Sequence, residues 1–215
     1  MELDLSAYEI LTTTRSVRKR LDFDRPVDRS IVEECLEVAL QAPTGGNAQG
    51  WQFVFVEDDD KKKALGEIYA RNFAQYASAP GREFAADDPR TGQQDAVRDS
   101  ATFLAENMHR APVLMIPCIA GQLDGAPTFA AASVWGSILP AVWSFMLALR
   151  GQAMGSAWTT IHLMNDGEAQ AAELLGIPSD EYTQAGLFPI AYTKGTDFKL
   201  ANRLPADQLS HWNEW

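Results

Sequence analysis

The sequence predicts one large domain of mixed helix and strand, and three observations carry that reading. At 215 residues, with 46% hydrophobic and 22% charged side chains, the chain can bury a substantial single core and has the composition of a soluble globular protein. Short apolar runs of strand length alternate with longer amphipathic stretches. They are Trp51–Val56, Pro112–Ala120, a third approached through Gly155–Ile161, and Ala185–Thr193. One stretch, Gly125 to Leu149, contains no charged residue, as the centre of a protein or an oligomer interface demands.

In chain order, Leu5–Thr13 reads as a short helix with Asp4 as its N-cap. Asp28 or Ser30 caps the next helix, with Ser30 and Glu33 at capping-box spacing; Ile31, Cys35, Val38 and Ala39 form its apolar face, and Pro43 ends it. The joint Pro43–Trp51 then packs proline, glycines, Thr44, Asn47 and Gln49 between two buried elements. It reads either as a helix stop and turn, or as a wall where a flat ligand comes close to the main chain. Trp51–Val56 is almost wholly apolar and reads as an interior strand. Asp58–Asp60 followed by Lys61–Lys63 suits a helix start, and that helix runs to about Tyr76. Ala77–Asp95 is the longest loop-like stretch; with the aromatics Tyr69, Phe73, Tyr76 and Phe84 it marks residues 69–95 as a lid. Asp95–Arg110 is a further helix, and Asp166–Leu175 is one stopped by Gly176 and Pro178. The tail has no periodicity yet keeps Phe198, Leu200, Leu204, Leu209, Trp212 and Trp215, so residues 195–215 wrap a surface, their own or a partner's.

Gly125–Leu149 is long enough to span a bilayer. Pro140, the scattered Ser133, Gly136, Ser137 and Ser144, and the lack of a basic flank beyond Arg150 weigh against that. The small residues admit a second helix at close range, and a large obligate dimer interface is the expectation, with no membrane partner.

A formal net charge of −11 opposes binding to nucleic acid or an anionic membrane, but leaves room for a local basic pocket. Arg15, Arg18, Lys19 and Arg20 crowd four cations into six residues around Ser16. They read either as a solvated basic turn or as an anion site, since Arg grips phosphate bidentately and Ser adds a short donor. Lys199 and Arg203 form a second cationic pair in the tail. Cys35 and Cys118 lie in apolar contexts and read as buried free thiols; with no leader pattern at Met1–Asp4, a cytoplasmic location is expected. GxGxxG, Walker A, GxSxG, HExxH and CxxC patterns are all absent, and His109, His162 and His211 show no ligand spacing, so no metal site is expected. Cations at both ends and a polar glycine loop, without a carboxylate pair for proton transfer, fit a protein whose bound cofactor does the chemistry.

Arg15-Ser16-Val17-Arg18, Ala42 to Trp51, Gly155 to Thr160, Leu175-Gly176-Ile177-Pro178 and Arg203-Leu204-Pro205 together resemble the FMN-dependent nitroreductase superfamily, from about Leu11 to the end of the chain. The resemblance implies an α+β fold with a central mixed, mainly antiparallel sheet flanked by helices. It also implies a single domain over residues 1–215 and an intertwined homodimer with FMN at the subunit interface, the C-terminal extension crossing onto the partner. Carried over by residue, Arg15 and Ser16 hold the FMN phosphate with Arg203 and Lys199 from the tail, and Arg18 lies near the pyrimidine edge of the flavin or its ribityl chain. Pro43, Thr44, Gly45 and Asn47 line the flavin from the neighbouring subunit, with Gln49 on the ribityl chain or ring; Trp158, Thr159 and Thr160 fall on the N5 and O4 side. The chain departs from the pattern twice: Thr14-Arg15 stands where many members have two arginines, and Gln49-Gly50-Trp51 where many have Gln-Pro-Trp. The second change leaves the loop less rigid. The implied activity is ping-pong hydride transfer from NADH or NADPH through FMN N5 to a small, flat, electron-poor acceptor: a nitroaromatic, quinone, conjugated carbonyl or flavin. Reductive dehalogenation, oxidative dehydrogenation and FMN binding without turnover are the alternatives the superfamily leaves open.

Overall fold

The computed structural model describes residues 2–81, 84–85, 88, 90–123 and 125–215. In chain order its strands are β1 (Leu21–Asp22), β2 (Trp51–Val56), β3 (Val113–Ala120), β4 (Met154–Ser156), β5 (Tyr182–Gln184) and β6 (Phe188–Thr193). Its helices are α1 (Ala7–Thr13), α2 (Arg29–Ala39), α3 (Asp59–Ser78), α4 (Gln94–Asn107), α5 (Thr128–Gly151) and α6 (Gly167–Leu175). β6 is the hub of one sheet, antiparallel to β1, β3 and β4, while β3 also pairs antiparallel with β2 and β5. Among the described residues the one parallel pairing is the bridge between Ser16 and Ser156.

Helices cover both faces of this sheet. α2 and α5 bury Val32, Cys35, Ile138, Phe145 and Leu149 against one face; α3, α4 and α6 bury Leu65, Tyr69, Leu104 and Ala171 against the other. β3 shows why the strands lack a polar face. Val113, Met115 and Ile119 point into the first layer, and Leu114, Ile116 and Cys118 into the second. Both cysteines are buried free thiols, and burial pushes each up to about 12.

Several expectations change in detail. Among the described residues β2 is an edge strand, paired with β3 alone. Its apolarity comes from the two helical layers, since Phe53 and Phe55 pack on one and Val54 and Val56 on the other. Ser6, not Asp4, caps α1, with Glu9 completing a capping box. Asp28 alone caps α2. β1 and β5 were not anticipated, since two and three residues are too few to show a period, and the third strand lies at Met154–Ser156, within the stretch read as its approach, with a single helical turn at Ile161–Leu163 where the strand was expected. The segment from Tyr69 to Ser78 is the second half of α3 rather than part of a lid, with Tyr69 and Phe73 buried. From Ala79 to the short turn at Thr91 no helix or strand forms among the described residues; Arg82, Glu83, Ala86, Asp87 and Pro89 lie outside them.

α5 buries one face in the core and leaves the other open. Phe129 is 82% exposed, and Ala132, Ser133, Gly136 and Trp143 continue that uncharged face at helical spacing. The tail behaves similarly. Phe198 packs against Val17 and Leu21, but Leu200, Leu209, Trp212 and Trp215 are exposed beyond it.

Candidate functional site

The predicted phosphate residues converge through the sheet. Val17 N–H donates to the Ser156 carbonyl (2.8 Å), holding the Arg15–Val17 segment alongside β4. Gly155 permits this approach: a Cβ there would lie 2.9 Å from side-chain methyls of both Val17 and Thr193. The half-buried Arg15 donates from Nη2 to the Lys199 carbonyl, which draws the tail over it. Burial, then the neighbouring Arg203, pulls the Arg15 guanidinium below its ordinary pKa. Arg203 thus acts on the Arg15 charge, and among the described residues no carboxylate is ion-paired with either, while Lys199 meets Arg15 through its backbone and its ammonium is not the contact.

A second group lies behind the sheet on the α3–α4 side. Arg18 Nη1 is 3.4 Å from Ser100 Oγ on α4. Burial pushes the Tyr69 hydroxyl up to about 12, while the Arg18 cation and the Thr159 hydroxyl oppose that shift. Thr159 Oγ1 also donates to the Leu187 carbonyl (2.7 Å), so its hydroxyl faces inward. Trp158 Nε1 donates to the Ala185 carbonyl (3.2 Å), and its ring meets Phe188 at 5.4 Å. Of the three residues expected beside flavin N5 and O4, Thr160 alone is exposed.

The Pro43–Gln49 loop stands apart from both groups. Gly45 N–H donates to Ser137 Oγ on α5 (3.0 Å), and a Cβ at Gly45 would lie 2.6 Å from Ser133 Oγ. Gly46, Asn47 and Gln49 all take positive φ, at 59°, 54° and 50°. Gln49 N–H donates to Thr44 Oγ1 (3.2 Å) and its Nε2 to Asn47 Oδ1 (3.1 Å). Pro43, Gly45, Asn47 and Gln49 are exposed. Gly50 is tied down through its carbonyl, which accepts from Ala120 N–H at 2.8 Å. No hydrogen bond among the described residues joins this loop to Arg15 or Arg203. Its anchor Ser137 lies thirteen residues before Arg150 on α5, about 20 Å along the axis.

Sequence reasoning missed Arg150 and Ser156. Each is buried and each keeps a polar atom, Nη1 and Oγ, without a partner among the described residues. Both border a small cavity with Thr14 and Arg15. The one available signal was that Arg150 is the charge ending a long uncharged run.

The turn carrying Trp158–Thr160 is held from behind. Asn72 Nδ2 donates to the carbonyls of His162 (3.2 Å) and Met164 (2.9 Å), and His162 Nε2 meets Gln184 Oε1 at 3.1 Å. Burial drives His162 down to about 4 against the opposing bond to Gln184. A folded pKa below the unfolded value means that His162 contributes stability above pH 6.5 that is lost as pH falls through 4. The expected loss is about 2 kcal/mol between pH 7 and 4.5. Urea midpoints at those two pH values should differ more for the wild type than for His162→Gln; equal differences would refute the assignment.

The nitroreductase family profile matches residues 11–192. The chain belongs to the nitroreductase family. This family member is 26% identical to iodotyrosine deiodinase 1 of Rattus norvegicus over 206 residues, 94% of the chain but 67% of that relative. Among solved structures it resembles oxidized iodotyrosine deiodinase bound to FMN and 3-iodo-L-tyrosine, with a TM-score of 0.71, 22% identity, and coverage of 97% and 99% of the two chains. It also resembles an FMN- and NADPH-dependent nitroreductase from Sphigopyxis sp. strain HMH, at TM-score 0.70, 23% identity, and coverage of 98% and 100%. These likenesses show that the nitroreductase fold extends over the whole chain, beyond the profile match.

Proposed function

We propose that this nitroreductase family member binds FMN as a homodimer and passes reducing equivalents from NADH or NADPH to flat, electron-poor small molecules. The observation that carries the reading is the anion-ready cluster: Arg15 borders one cavity with Arg150 and Ser156, whose buried Nη1 and Oγ have no partner among the described residues, and Arg203 acts on the Arg15 charge, in a chain of net charge −11. Those groups fit a phosphate. Bound FMN would supply hydride transfer at N5. Arg15, Ser16 and Arg203 would hold its phosphate; Arg18 would set a cation at the pyrimidine edge, where charge-assisted bonding favours the electron-rich ring. Tyr69 and Thr159 would fix the turn that presents Trp158 and Thr160.

Two features support the dimer. The uncharged face of α5 and the apolar tail both lie open on the protomer, and the Pro43–Gln49 loop is held away from the cation cluster of its own chain. A partner that covers α5 would meet the loop at Ser133–Ser137. Anaerobic absorbance titration with NADH and NADPH, followed by a panel of nitroaromatic, quinone and flavin acceptors, tests the reading. Bleaching of a yellow protein and its recovery on adding an acceptor are expected; protein that is colourless and stays so with added FMN would sink it.

A second reading, reductive dehalogenation of a halogenated aromatic, is favoured by the similarity to iodotyrosine deiodinases. Halide release from a haloaromatic under the same anaerobic conditions, without turnover of nitroaromatics, would select it.

A further inference from the structure

We infer that Arg150 supplies a further cation for the FMN phosphate, with the Ser156 hydroxyl beside it. This rests on the FMN reading above. The structure brings the Arg150 guanidinium to the Arg15 cavity from the far end of α5. Arg150 is 5% exposed and has no carboxylate within ion-pair distance among the described residues. Its Nε and Nη2 each lie 3.3 Å from Thr13 Oγ1, and Nη2 donates to the Thr196 carbonyl at 2.9 Å. Nη1 has no partner. Ser156, 3% exposed and bridged to Ser16, likewise has a free Oγ.

Arg150 and Ser156 border one cavity of about 10 Å³ with Thr13, Thr14 and Arg15. That volume admits one oxygen-sized group. A purely structural role explains part of the picture. Arg150 sits at a helix C-terminus, where a cation is favoured, and it shares the Phe198 ring with Arg20, at 4.9 and 4.2 Å. Neither fact accounts for a buried charged donor left without an acceptor, which is costly. The one charge that shifts it is another cation, Arg20, itself paired with Asp197 at 2.6 Å. A phosphoryl oxygen in the cavity would satisfy Nη1 and Oγ together and neutralise the excess charge; a neutral ribityl hydroxyl would leave that charge in place.

The test is the ratio of riboflavin to FMN dissociation constants, read by flavin fluorescence, because the two ligands differ only in the phosphate. The wild type should prefer FMN, and Arg150→Met should cut that preference about 10- to 100-fold, the worth of one charge-assisted hydrogen bond, with riboflavin binding unchanged within about twofold. Arg150→Lys should recover part of the preference, and Ser156→Ala should lose a smaller part. A full FMN preference in Arg150→Met overturns the assignment. So does an equal loss of both flavins with a lowered melting point, which marks a packing residue. Should Arg150→Met fail to fold, the ratios in Arg150→Lys and Ser156→Ala decide. A wild type that binds both flavins equally overturns the Arg150 assignment alone; one that binds neither overturns the FMN reading and this assignment with it.

Discussion

Gly136→Arg is expected to convert the protein to a folded monomer and to weaken FMN binding by about 100-fold or more, the worth of two or three lost hydrogen-bonding groups. Nothing lies within 4 Å of a Cβ placed at Gly136, so the substitution is sterically silent inside the protomer. Gly136 sits on the exposed, uncharged face of α5 with Phe129, Ala132 and Ser133. α5 itself offers no carboxylate to a guanidinium buried there between two helices, and an unpaired one would cost several kcal/mol. In the proposed dimer the flavin would then lose the wall that Pro43, Thr44, Gly45, Asn47 and Gln49 would contribute from the partner, although Arg15, Ser16 and Arg203 are untouched. Light scattering reports the mass, circular dichroism the fold, and fluorescence titration the affinity. A dimeric Gly136→Arg protein with wild-type FMN affinity would remove α5 from the interface.

Gly167→Ala is expected to destabilise the protomer by about 3 kcal/mol or more, the upper range for forcing extra volume into a packed site. For a domain of this size that corresponds to a melting point lower by about 6–12 °C. Two effects compete at this position. Alanine favours helix over glycine by about 1 kcal/mol, and Gly167 is the first residue of α6. Against that, a Cβ would lie 1.9 Å from the His162 carbonyl oxygen and 2.7 Å from Asn72 Nδ2. Neither can step aside, because Asn72 is 1% exposed and binds both the His162 and Met164 carbonyls. The clash therefore outweighs the propensity gain, and the displaced segment is the one that follows Trp158–Thr160. A melting point at or above the wild type's would refute this account.

Local chemistry made most elements legible. Asp28 and Asp58 as caps, the acid-then-base order at the start of α3, and Gly176 ending α6 at φ 71° all act within a few residues. So did the two motifs that define the candidate site, because Arg15–Arg18 and Pro43–Trp51 are each continuous in sequence. What failed to show was whatever depends on partners far along the chain. An apolar strand reads the same whether strands or helices cover it, so β2 reads as an interior strand although it lies at the edge.

The sequence by itself determined the family, the helical and strand pattern of the longer elements, and the residue types suited to an anionic flavin, because capping, periodicity and contiguous motifs are short-range properties. Only the tertiary structure decided that Arg150 and Ser156 stand beside Arg15 with unpartnered polar atoms, and that the Pro43–Gln49 loop is pinned to α5 away from them. The physical reason is that the antiparallel sheet and the long axis of α5 set those separations, and sheet pairing joins residues such as Ser16 and Ser156 that no local period relates.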